Sequence, residues 1–136
     1  MTAQMVTGEH AKLLSQVRAR AERVLAAVRA GSPPAAELTA LTDYAVSELF
    51  RQVASEERQL LLAGGPSEAF RALARDHARL RSCVAALARA ATGEQPLSAA
   101  QVTAVTRDFV AQLERHLRAE ELSLAALARG AFTPRK

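Results

Sequence analysis

Apolar residues recur along most of this chain at i, i+3, i+4 and i+7, the stripe that an amphipathic helix turns toward a core. The first stripe runs through Leu13, Leu14, Val17, Ala21, Val24, Leu25 and Val28. The second runs through Leu38, Leu41, Ala45, Leu49 and Leu60, with a flanking row at Val46, Phe50 and Val53. Phe70, Leu73, Leu80, Val84, Leu87 and Ala91 make the third, and Val102, Val105, Phe109, Leu113, Leu124 and Leu127 the fourth. Breakers separate them: Gly31-Ser32-Pro33-Pro34, Gly64-Gly65-Pro66-Ser67 and Gly93-Glu94-Gln95-Pro96, with Gly130 and Pro134 near the end. Glycine followed by proline is the stop-and-start signal between helices, Pro66 suits the first turn of the third, and Ser98 with Gln101 predicts a capping box for the fourth. The pattern predicts one domain over 1–136 with helices at 4–30, 35–63, 66–92 and 98–129. Each is roughly 25 residues, or on the order of 37 Å, long. Short links make successive helices antiparallel neighbours, so the expected fold is all-α, an up-down-up-down four-helix bundle.

Composition agrees. Alanine, leucine and arginine dominate and isoleucine is absent, a balance that favours helix over sheet. At 136 residues the chain can bury a core without a disulfide framework. The single cysteine, Cys83, has no second thiol to pair with and reads as an inert, half-buried group in a reducing compartment. Met1–Glu9 carries no basic residue and no apolar core of a secretory signal, and no apolar run approaches membrane-spanning length, so a cytoplasmic protein without a membrane partner is expected. The net charge of +4 comes almost wholly from arginines spread at helical spacing among glutamates. A phosphate footprint needs clustering on one face, so no nucleic-acid partner is expected.

The chemistry lies where the stripes are interrupted. His77 stands between Leu73 and Leu80, His116 and Glu120 between Leu113 and Leu124, and Gln52 and Glu56 between Leu49 and Leu60. His10 precedes Leu14 by four residues and Val17 by seven. All six are expected to point into the bundle. A buried, isolated carboxylate costs several kcal/mol unless it is paired, protonated or bound to a cation, and no lysine or arginine shares these stripes, although Arg58 and Arg118 stand at neighbouring positions. Height along the bundle is an independent check. His10 and His77 lie toward the starts of helices one and three, and Gln52, Glu56, His116 and Glu120 toward the ends of helices two and four. In an antiparallel bundle these are the same end. Imidazoles and carboxylates together suit iron, zinc, manganese or copper, and the lack of thiolates excludes an iron–sulfur cluster or thiolate zinc site. Glu57 and Glu121 fall about 100° off the stripe and read as surface or outer groups. Tyr44 and the phenylalanines read as packing.

The ferritin-like di-iron signature, Glu-x-x-His, is missing. The chain has instead His116-Leu117-Arg118-Ala119-Glu120 and, in helix two, Gln52-Val53-Ala54-Ser55-Glu56. With Glu9-His10 and Asp76-His77, this set resembles the hemerythrin-like, or HHE cation-binding, family over residues 9 to 127. The resemblance implies a four-helix bundle holding non-haem iron, two ions bridged by Glu56 and Glu120, with His10, His77 and His116 as further ligands. Gln52 stands where the family has histidine, a weaker donor that would leave the His10 half short of a ligand and the centre asymmetric or mononuclear. Leu73 occupies the place of an additional histidine in the oxygen-carrying members, which argues against reversible oxygen storage.

The expected function is therefore metal binding, with a diatomic such as oxygen or nitric oxide as the small ligand, or handling of iron or peroxide. A degenerate bundle serving as a metal-free interaction or structural module is the alternative, and Gln52 is the residue that favours it. An iron-dependent oxidase or peroxidase would need a substrate pocket and a proton donor that the sequence does not display. No protein partner is indicated.

Overall fold

The computed structural model describes the backbone of residues 3–130 and the side chains of residues 8–122. Leu124, Leu127 and Pro134, singled out above, lie outside the described side chains. Four helices make up the described chain, with no strand among the described residues: α1 (Ala3–Arg29), α2, α3 (Glu68–Thr92) and α4 (Ala99–Gly130). α2 is continuous but not uniform, running as Ala35–Tyr44 and Phe50–Gly64 with a π-helical turn, Ala45–Leu49, between them. Successive helices pack against one another, and α1 against α4, which closes an antiparallel bundle.

The stripes meet along the axis. Val17, Val24, Leu38, Leu41, Leu49, Leu80, Leu87, Phe109 and Leu113 are all essentially inaccessible. Burying a side chain of this size stabilises the fold by about 1.5–3 kcal/mol. Helix ends follow the punctuation. Ser67 Oγ accepts a hydrogen bond from the Phe70 amide at the start of α3. Ser98 and Gln101 close a reciprocal capping box before α4, with the Ser98 amide donating to Gln101 Oε1 at 2.9 Å and the Gln101 amide to Ser98 Oγ at 3.1 Å.

Gly93 ends α3 in the left-handed region at φ 77°. A Cβ there would meet nothing within 4 Å, so Gly93→Ala costs only conformational strain. We expect a loss of about 1 kcal/mol in urea unfolding, with the helix content unchanged.

The π-helical turn corrects the expected face of α2. Sequence spacing puts Gln52 on the inner stripe, with Val46 and Val53 in the row beside it. In the structure Val53 is 2 % exposed and Val46 57 % exposed. Gln52 and Leu60 are only half-buried. One extra residue in a turn rotates everything after it by about 100° relative to an uninterrupted α-helix. That rotation carries Val53 inward.

Candidate metal centre

His10, on the first turns of α1, and His77 and His116, midway along α3 and α4, are buried at 3 %, 0 % and 5 % exposure. Each occupies a stripe position flanked by apolar residues, so its ring is directed inward by the same packing that buries Leu13, Leu80 and Leu113. One atom from each of Glu56, His77, His116 and Glu120 falls within 4.8 Å of all the others. His77 Nε2 and His116 Nε2 are 2.9 Å apart. His77 Nε2 is 3.6 Å from Glu56 Oε2 and 3.7 Å from Glu120 Oε1, and His116 Nε2 abuts that same Glu120 oxygen.

His10 reaches the same two carboxylates from the other side. Its Nε2 is 3.8 Å from Glu56 Oε1 and 3.4 Å from Glu120 Oε2. Each glutamate thus turns one oxygen toward His77 and the other toward His10. Gln52 is half-buried one turn before Glu56, and among the described residues no hydrogen bond joins it to these groups.

The outer ring nitrogens also face carboxylates. His77 Nδ1 is 2.8 Å from Glu57 Oε1, His116 Nδ1 3.3 Å from Asp76 Oδ2, and His10 Nδ1 3.6 Å from Glu121 Oε1. Glu57 and Glu121 are therefore outer groups of the site rather than free surface. Asp76 was not singled out as an outer group from its spacing. The signal available was its adjacency to His77, the same adjacency that joins Glu57 to Glu56 and Glu121 to Glu120.

Electrostatics define what the centre needs. Burial disfavours charge on His77, but Glu120, Glu56 and Glu57 outweigh it and push its pKa up to about 9. Burial is likewise outweighed at His10, by Glu56, Glu120 and Glu121, and the pKa is raised. Burial opposes ionisation of Glu120, yet His116 and His77 hold it well below the usual carboxylate range. Two carboxylates and three imidazoles converge in a space that draws positive charge, either as protons on the rings or as a bound cation. Glu56 Oε2 and Glu120 Oε1 are buried with no hydrogen bond of acceptable geometry. A cation bound among these atoms would satisfy them, and oxygen and imidazole donors without thiolate are the chemistry of a borderline transition metal.

A cleft of about 320 Å³ between α3 and α4, lined by Asp76, Arg79, Gln112, Arg115 and His116, reaches the outer edge of the His116 ring. A larger, mostly apolar cleft of about 390 Å³ lies at the opposite end, where Gly31–Pro34 approaches Gly93 and Pro96, and holds none of the site residues.

The model of the hemerythrin HHE cation-binding domain matches residues 1–128. This chain belongs to that family. No curated protein and no solved structure matches it. The match extends over all four helices and over every residue of this hemerythrin domain's candidate centre. No described helix is long and apolar enough to cross a membrane.

Proposed function

We propose that this hemerythrin domain binds non-haem iron at Glu56, His77, His116 and Glu120, with a second, weaker position on the His10 side, and that it serves a small ligand such as oxygen or nitric oxide. The observation that carries this reading is the convergence of ligand-type atoms from four residues within 4.8 Å, with Glu56 Oε2 and Glu120 Oε1 buried beside two buried imidazoles. Family membership supports a metal cation, and the mixed nitrogen and oxygen donors favour iron over metals that select thiolate. Bound iron would supply a redox-active centre with open coordination positions. The chain's own contribution is to hold three imidazoles with their Nε2 atoms inward, to offer both oxygens of Glu56 and Glu120 to opposite halves, and to close the inner side of the centre with the apolar stripe through Leu13, Leu80 and Leu113. The lone Cys83 is in keeping with a reducing, cytoplasmic setting.

The two halves are unequally furnished. His77 and His116 share one side, and His10 alone serves the other. Titration with ferrous ion under anaerobic conditions, followed by metal analysis, is therefore expected to give one tight equivalent and a second held more weakly. A protein that retains no transition metal after such loading would overturn the reading. That outcome would favour a metal-free helical module, for which the supporting observation is that protons alone can neutralise the cluster, as the raised pKa of His77 indicates.

A further inference from the structure

We infer that Glu57, Asp76 and Glu121 form a one-way ring of positioning residues, in which each carboxylate fixes the metal-binding histidine of the next helix round the bundle. This deepens the reading of a metal centre and rests on it. The order is the observation. Glu57 of α2 meets His77 of α3 at 2.8 Å, Asp76 of α3 meets His116 of α4 at 3.3 Å, and Glu121 of α4 meets His10 of α1 at 3.6 Å. Every contact runs from one helix to the following one, and every carboxylate belongs to the immediate sequence neighbour of a residue in the centre.

Helix geometry explains the regularity. A residue adjacent to an inward-facing one is turned about 100° from it, so it faces a neighbouring helix rather than the axis. Placed at the height of the centre, its carboxylate arrives beside the outer edge of that neighbour's imidazole. An Nδ1–H donated to the carboxylate leaves the Nε2 lone pair directed inward and makes it a better donor to a metal. Two of the three acids are themselves held from behind by arginines of α3. Arg81 is 3.7 Å from Glu57, with its guanidinium over the Phe50 ring, and Arg79 is 3.8 Å from Asp76.

The ring is open at one place, and the opening is informative. α2 brings no histidine to the centre, and Glu9, the acidic neighbour of His10 that would continue the sequence from α1, is exposed. The buttress is missing where there is no imidazole to hold. The contact to His10 is also the longest of the three, and His10 Nδ1 is buried without a hydrogen bond. The ring therefore grips His77 most firmly and His10 least.

Zinc(II), which is diamagnetic and accepts the same donors, is the probe. Its affinity is measured by chelator competition in the wild type, Glu57→Gln, Asp76→Asn and Glu121→Gln, with the exposed Glu22→Gln as a control. The first two variants are expected to weaken binding roughly ten- to a hundredfold, Glu121→Gln less, and Glu22→Gln not at all. Nitrogen-15 spectra of histidine-labelled, zinc-loaded protein should show protonated Nδ1 on all three rings. Glu57→Gln should disturb His77 alone, Asp76→Asn His116 alone, and Glu121→Gln His10 alone. Circular dichroism of the metal-free variants should show the helix content of the wild type, which separates positioning from loss of the fold. Affinities equal to the control, or disturbances on the wrong histidine, would overturn the ring and leave the metal centre standing. A wild type that takes up no zinc would overturn the centre, and the ring with it.

Discussion

Protein carrying His116→Ala and Glu120→Ala together should emerge from ferrous loading with no more metal than a buffer blank, while remaining helical. The two residues sit one turn apart on α4 and meet each other through His116 Nε2 and Glu120 Oε1. Removing them takes away half of the four-atom group and also the carboxylate shared with His10. The loss should exceed the ten- to hundredfold effect typical of an outer partner, because ligands and not their supports are deleted. Folding should survive because the core of α4 is carried by Val102, Phe109, Leu113 and Leu117, none of which is altered. Metal analysis beside circular dichroism checks both halves of the expectation. Full metal content in a folded double variant would show that the binding site lies elsewhere.

Acidity should drive metal affinity and metal-free stability in opposite directions. In the metal-free protein the carboxylates around His77 raise its pKa from 6.5 to about 9. A group whose folded pKa is raised contributes stability that is fully present below its unfolded value and is lost as pH rises through the folded value. Urea unfolding in the presence of a chelator should therefore show the metal-free fold weakening from pH 6.5 to about 9. The metal competes for the same ring, and a proton must leave before Nε2 can bind it. Apparent affinity should therefore rise with pH below about 9, by roughly tenfold per unit for the one proton displaced from His77. Zinc or ferrous titrations at several pH values test the slope. A flat affinity profile across this window would mean that His77 is not a ligand.

The inner residues of the candidate centre could be picked out in the sequence because they break a strong period. His10, Glu56, His77, His116 and Glu120 each interrupt or extend an apolar stripe, and an antiparallel bundle puts them at one height. The outer carboxylates were harder to read. Periodicity separates inward from outward but says nothing about which neighbouring helix an off-stripe residue meets. Asp76 accordingly read only as part of the His77 motif, although it faces His116. The π-helical turn had no mark at all, since Ala45–Leu49 contains neither glycine nor proline and is composed of ordinary helix formers. It arises from how the two halves of α2 pack on the other helices. Its effect on Val53 could not be reached from spacing alone.

That turn also bears on how the chain tolerates changes of length. The upper part of α2 is packed through Leu38, Leu41 and Ala45, and the lower part delivers Val53, Glu56 and Glu57, with the surplus residue confined between them. A plain α-helix could join the same two anchored segments with one residue fewer. The slack is local, so shortening the chain by one residue within Ala45–Leu49 leaves both ends of α2 in register. The same deletion one turn later would swing the carboxylates out of the centre. α2 thus has a length reserve at one turn and none at the next.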